Sequence, residues 1–230
     1  MAAVATAAPD EFFSLSADAP GFDHEMLESF AKLHRLELQV VPIESWDSLV
    51  PALRDGKADV VAGRFTVTDA RHKVIEFTVE VFPTRNAVVS RKPRRVVETL
   101  QQLRTERVGT VKGTSMAEAV AAAGVPPENV DDSIASGGLP DALKQGRITA
   151  AVLGLESAVT AQKLDPQIQI GLFLGKPGSL AYGVRREDLN LLAELNRFLE
   201  NVRRTPTWSR LVVKYFGEAG LDILKRARTE

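Results

Sequence analysis

The chain has 230 residues, 44% of them hydrophobic and 26% charged, with a formal net charge of −1. Such a composition suits a folded globular chain and excludes a fibre or a disordered tail. The balanced charge gives no whole-chain field for nucleic acid or an anionic membrane. No cysteine is present, which excludes a disulfide framework, thiolate metal sites and a cysteine nucleophile. No apolar run reaches the ~20 residues of a membrane span, and residues 1–6 lack the basic and apolar regions of a secretory signal.

Short apolar runs alternate with helical patterns along the chain. Residues 4–6 read as a strand. Met26, Leu27, Phe30 and Leu33 then recur at helical spacing, with Asp23 as the N-cap. Residues 36–41 give the next strand, stopped by Pro42. Trp46, Leu49, Val50 and Leu53 give a second amphipathic helix that ends at Asp55-Gly56. Residues 58–62 make a third strand. This βαβαβ order predicts a parallel sheet with right-handed crossovers.

The pattern restarts at a strand over 107–111, after which Gly113-Thr114-Ser115 opens an alanine-rich helix. Strands over 130–132, 150–153 and 168–174 follow, with a helix over 140–144. Two α/β units result, the first running to about residue 90 and the second beginning after the basic stretch 91–95. Leu189, Leu192, Leu195, Phe198, Leu199 and Val202 then form a long amphipathic stripe, and a short helix is expected over 208–216.

The familiar enzyme signatures fail. Residues 109–115 look like a phosphate loop, but Lys112 precedes the second glycine where a Walker sequence needs it afterwards. No GxGxxG and no GxSxG is present. His24, His34 and His72 lack ligand spacing, so no metal is expected; His34 reads as a partner of a helix C-terminus. The basic stretch 91–95 has no interleaved aromatics and reads as a solvated connection, not a nucleic-acid surface.

Two segments carry positive chemistry. Gly113-Thr114-Ser115 leaves backbone N–H groups at a helix start, a place that takes anions; capping by Ser115 explains the same residues. Thr66-Val67-Thr68-Asp69-Ala70-Arg71 follows the third strand, at the end where open α/β sheets bind ligands. Arg71 is suited to a bidentate pair with a carboxylate, or to a surface pair with Asp69 or Glu76.

At this point residues 63–77 show a resemblance. GRFTVTDARHKVIEF resembles the T-x-T-x-x-R segment, spacer and acidic-Phe pair of the family-3 extracellular solute-binding proteins, the polar amino-acid receptors of ABC importers. Other segments match in order: Gly21-Phe22-Asp23, the helix around Trp46 to Leu53, Asp55-Gly56-Lys57-Ala58-Asp59, Lys112-Gly113-Thr114-Ser115, and Trp208 with Tyr215-Phe216-Gly217. The likeness covers nearly the whole chain.

The resemblance implies an α/β chain with the periplasmic-binding-protein-like type II fold, two α/β lobes joined by a two-strand hinge. Residues 1–90 and 181–230 would form lobe one, and residues 91–180 an inserted lobe two. It implies a non-enzymatic receptor that captures a small carboxylate-bearing ligand, an amino acid or related organic acid, in an interlobe cleft. It also implies a monomer without cofactor, metal or nucleic acid, partnered by the membrane permease of an ABC importer in the periplasm or outside the cell. Arg71 matches the arginine that clamps the ligand carboxylate, Thr66 a residue offering backbone and hydroxyl contacts, Trp46 a stacking aromatic, and Thr114 and Ser115 an anion-binding turn.

Departures from the family pattern concern the ligand. The first binding loop, residues 9–13, includes Phe13, but Asp10 stands where an aromatic is usual. Arg64 stands where a small residue is usual, and Gly154 where an acid binds the ligand ammonium. Arg64 beside Arg71 favours a ligand of higher negative charge, with Asp10 and Glu156 as the acids that could replace the missing one. The alternative function is the ligand-sensing domain of a receptor or sensor kinase. A dehydratase of the same fold ranks below it, with Glu156 as the acid; a cell-wall lyase domain is not expected in the stretch to Glu230.

Overall fold

The computed structural model describes residues 1–6, 10, 12–14, 20–135, 137–217 and 219–228. The chain divides into two compact units. Unit 1 is Met1–Pro83 with Ser179–Gly220, and unit 2 is Thr84–Gly178 with the end of the chain from Leu221.

In chain order the elements of unit 1 begin with β1 (Ala2–Thr6), α1 (Phe22–Leu33) and β2 (Gln39–Ile43). A 3-10 turn (Trp46–Ser48), α2 (Leu49–Arg54), β3 (Val60–Val61), α3 (Asp69–His72) and β4 (Glu76–Phe77) come next. Then β5 (Phe82–Arg91) starts in unit 1 and continues into unit 2. Unit 2 holds α4 (Leu100–Leu103), β6 (Val108–Gly109), α5 (Ser115–Ala122) and β7 (Val130–Asp131). It continues with α6 (Leu139–Lys144), β8 (Ala150–Gly154), α7 (Leu155–Leu164) and β9 (Ile168–Leu180), whose last residues return to unit 1. There β10 (Gly183–Val184), α8 (Leu189–Arg203) and α9 (Pro206–Phe216) close unit 1, and α10 (Ala219–Arg228) ends the described chain.

Each unit is built on one five-stranded sheet. The order in unit 1 is β2-β1-β3-β10-β4, and in the second sheet β7-β6-β8-β5-β9. The βαβαβ pattern gives parallel β1–β2 and β1–β3 pairs. The sheet as a whole is mixed, because β10 runs antiparallel to both β3 and β4. The second sheet is likewise mixed: β6 is parallel to β7 and β8, and β5 is antiparallel to β8. Pro42 lies inside β2 rather than ending it, which an edge strand tolerates because the missing N–H faces outward.

Burial explains the strands. Ala3, Val4 and Ala5 of the inner strand β1 are all buried, as expected of a strand covered on both faces. Helix α1 buries Phe22, Met26, Leu27, Phe30 and Ala31 on one face. Its N-cap is Gly21, with φ of 103°, and a Cβ there would sit 2.5 Å from the Phe12 carbonyl carbon. Only glycine fits that turn. Phe12, Phe22, Phe82 and Phe216 then pack as one cluster, their ring centroids 5.1–6.0 Å apart. The C-terminal stripe docks through Leu195, Phe198 and Leu199, whereas Leu189 is exposed.

Candidate functional site

The parallel strands set up two groups of polar side chains, one per unit, each beyond the C-terminal ends of neighbouring strands, where open sheets bind ligands. In unit 1 these strands are β1 and β3.

Arg71 is buried on the single turn of α3. Thr68 caps that turn, its hydroxyl accepting from the Arg71 N–H at 3.3 Å. The guanidinium donates from Nη1 to the Thr66 carbonyl at 2.8 Å and lies 4.2 Å from the centroid of the Phe65 ring. Thr66 is itself bridged to Leu180. The segment 65–71 therefore grips its own arginine, and neither Asp69 nor Glu76 appears as its ion-pair partner within 4.0 Å among the described residues.

Arg64 makes a different pair. Its Nε donates to Asp10 Oδ2 at 2.7 Å, with both side chains 13% exposed. Asp10 Oδ1 accepts from the Phe12 and Phe13 N–H groups, both at 2.8 Å, so the carboxylate folds its loop around the arginine. Trp46, also buried, lies 5.9 Å from the Arg64 guanidinium, and its indole N–H has no hydrogen-bond partner among the described residues. The charge of Arg64 is thus matched by Asp10. Phe13 is buried and stacks on His24, centroids 5.3 Å apart. Pro9 and Glu11 of the same loop lie outside the described residues.

Asp23 reads from the sequence as a helix cap, but it holds the backbone at Gly63 and Arg64. It sits inside α1, not at its cap, and its Oδ2 accepts from the N–H groups of Gly63 and Arg64 at 3.0 and 3.2 Å. Tyr182 donates to Oδ1 at 3.2 Å. Burial pushes the Asp23 carboxyl up to about 7, against the pull of those three donors. An acid whose folded value lies above its unfolded value near 3.8 holds its proton longer when folded. Stability should therefore fall as pH rises from about 4 to about 7, by up to ~4 kcal/mol. Denaturant melts at pH 5 and pH 8 should show about 3 kcal/mol of that loss, and Asp23→Asn should flatten it. Equal pH dependence in both proteins would remove Asp23 as the cause.

In unit 2 the strands are β6 and β8, paired in parallel as Val108↔Ala150 and Gly109↔Ala151. Thr114, not Ser115, caps α5: its hydroxyl donates to the Val111 carbonyl at 2.6 Å and accepts from the Ala117 N–H at 3.3 Å. Thr114 and Ser115 are both buried. Thr110, just past β6, is buried with no partner for its hydroxyl among the described residues.

Helix α7 begins at the end of β8 without a side-chain cap, and Glu156 stands in its first turn, 3% exposed. Thr84 donates to Glu156 Oε2 at 2.9 Å. A Cβ built on Gly154 would lie 2.0 Å from Glu156 Oε1. The glycine thus makes room for the acid two residues on: the carboxylate fills the space of a side chain at 154. The signal was present as Gly154-Leu155-Glu156, but the sequence does not say that the carboxylate folds back.

Among the described residues no three His, Cys, Asp or Glu side chains cluster to hold a metal ion, and no helix is long and apolar enough to cross a membrane.

The chain is similar to the histidine-binding periplasmic protein of Escherichia coli K12, 26% identical over 223 residues, covering 92% of this chain and 84% of that one. It is similar also to the membrane-bound lytic murein transglycosylase F of Stutzerimonas stutzeri, 26% identical over 222 residues; the match spans only 45% of that longer protein. Among solved structures, an ancestral arginine-binding protein bound to arginine superposes with a TM-score of 0.79 at 26% identity, covering 94% of this chain and 97% of that one. An ArgBP mutant from T. maritima gives 0.83 at 25%, covering 94% of both chains. These structures share the type II periplasmic-binding-protein fold expected from the sequence. The sequence pattern of the bacterial extracellular solute-binding proteins, family 3, matches residues 1–218, and the chain belongs to that family.

Proposed function

We propose that this protein is a non-enzymatic receptor for an α-amino acid, which it captures outside the cytoplasm and delivers to the permease of an ABC importer. The observation that carries the reading is Arg71: a buried guanidinium held at the C-terminal edge of the unit 1 sheet by its own segment. A planar, pre-oriented fork of N–H donors is the group that suits a carboxylate. Thr66 holds it from the same segment, Trp46 lies beside Arg64 in the same unit, and within unit 2 Thr114 and Ser115 form a buried turn at the start of α5.

The Arg64–Asp10 pair supports a zwitterionic ligand over a dicarboxylate, since it adds no net charge. Within unit 2, Glu156 is the buried carboxylate whose charge suits an ammonium group. Histidine and arginine are the first ligands to test, because similar proteins carry those names.

A thermal-shift panel of amino acids and dicarboxylates tests the proposal. An amino acid at a hundred times its dissociation constant adds about 2.7 kcal/mol of stability, so at least one should raise the melting temperature clearly and succinate should not. A panel in which only dicarboxylates stabilise the protein overturns the reading.

A further inference from the structure

The basic stretch 91–95 plays no part in the amino-acid site, and in the structure it does more than connect. A cavity of about 280 Å³ opens on unit 2, and five of its lining residues are cationic: Arg91, Lys92, Arg94, Arg107 and Lys144. None of the lining residues is acidic. A second opening shares Lys92, Pro93 and Arg94 and adds Arg95, with Glu98 as its acid. Residues far apart in sequence thus bring charges of one sign to one concave surface, which focuses the field on an anion.

The arginines are held in place. Arg91 Nε donates to Asp165 Oδ2 at 2.7 Å, Arg94 Nη2 to Glu106 Oε2 at 3.2 Å, and Arg107 Nη2 to the Gly146 carbonyl at 2.6 Å. Both carboxylates stand outside the lining, and they meet two of the five charges. Arg107, Lys92 and Lys144 make no ion pair within 4.0 Å among the described residues, although Lys144 adds to the field around Asp165.

We propose that this cavity is a binding site for a phosphate-type polyanion, separate from the amino-acid site. A single carboxylate would leave most of that positive charge unmet, whereas a di- or trivalent phosphate matches it, and guanidinium with ammonium groups is the donor set that phosphates take. A dissolved phosphoester and the headgroup of an anionic lipid share this chemistry.

The test uses the full chain with pyrophosphate in calorimetry, and in parallel with phosphatidylglycerol and phosphatidylcholine vesicles in co-sedimentation. Lys92 and Lys144 are exposed, so Lys92→Glu/Lys144→Glu should melt like the parent protein and keep any amino-acid response. Pyrophosphate should bind at one site, more weakly as salt is raised, and the double variant should lose at least tenfold in affinity. Co-sedimentation with phosphatidylglycerol alone, lost in the same variant, identifies the lipid headgroup as the source of the anion. Failure of both pyrophosphate and phosphatidylglycerol to bind, or binding undiminished in the variant, overturns the proposal.

Discussion

Arg71→Ala should weaken amino-acid binding steeply while the protein stays folded. Removing one side of a buried, hydrogen-bonded charge pair costs about 2–5 kcal/mol, much of it from stranding the other charge. At 1.4 kcal/mol per tenfold, affinity should fall by roughly 30-fold to several thousandfold. Arg71→Lys should bind poorly as well. Its ammonium is a point charge and does not reproduce the planar fork that the Phe65 ring and the Thr66 carbonyl hold in place. Calorimetric titration measures the loss, and a thermal melt without ligand checks the fold. Affinity within threefold of the parent in either variant would move the carboxylate to another residue.

The second large effect concerns Glu156 and the glycine beneath it. Glu156→Gln keeps an oxygen to accept from the Thr84 hydroxyl but removes the charge. A hydrogen bond to a charged group contributes about 1.5–3 kcal/mol, so amino-acid affinity should drop by roughly one to two orders of magnitude. Gly154→Ala should weaken binding too, because the new Cβ would lie 2.0 Å from Glu156 Oε1 and expel the carboxylate. A double-mutant cycle separates this from general damage: in a Glu156→Ala background, where no carboxylate has to move, Gly154→Ala should cost little further affinity. Additive losses would mean that the glycine serves another purpose.

Local chemistry was legible in the sequence, and long-range pairing was not. The segment Thr66 to Arg71 could be read because its contacts are internal: Thr68 caps Arg71 three residues on, and Thr66 accepts from it five residues on. The βαβαβ order of unit 1 followed from apolar periodicity and connection rules. The antiparallel β10 did not, because two residues carry no periodicity and its partners lie more than a hundred residues earlier in the chain.

Asp23 shows the limit most plainly. Its position before an apolar helix reads as a cap, yet its partners are backbone N–H groups 40 and 41 residues away and a tyrosine 159 residues away. The Arg64–Asp10 pair spans 54 residues and the Thr84–Glu156 bond 72. Neither pairing could be read from neighbours in the sequence. Arg64 looked like surplus positive charge and is matched. Gly154 looked like the loss of an acid and is the space that a different acid fills.

Isothermal titration of histidine and arginine into the full chain decides whether the protein binds a free α-amino acid. One of the two should bind with one-to-one stoichiometry, and Arg71→Ala should weaken that binding by roughly 30-fold or more. If neither they nor any other standard amino acid gives saturable heat, while an organic acid lacking an ammonium group binds one-to-one, the account is contradicted.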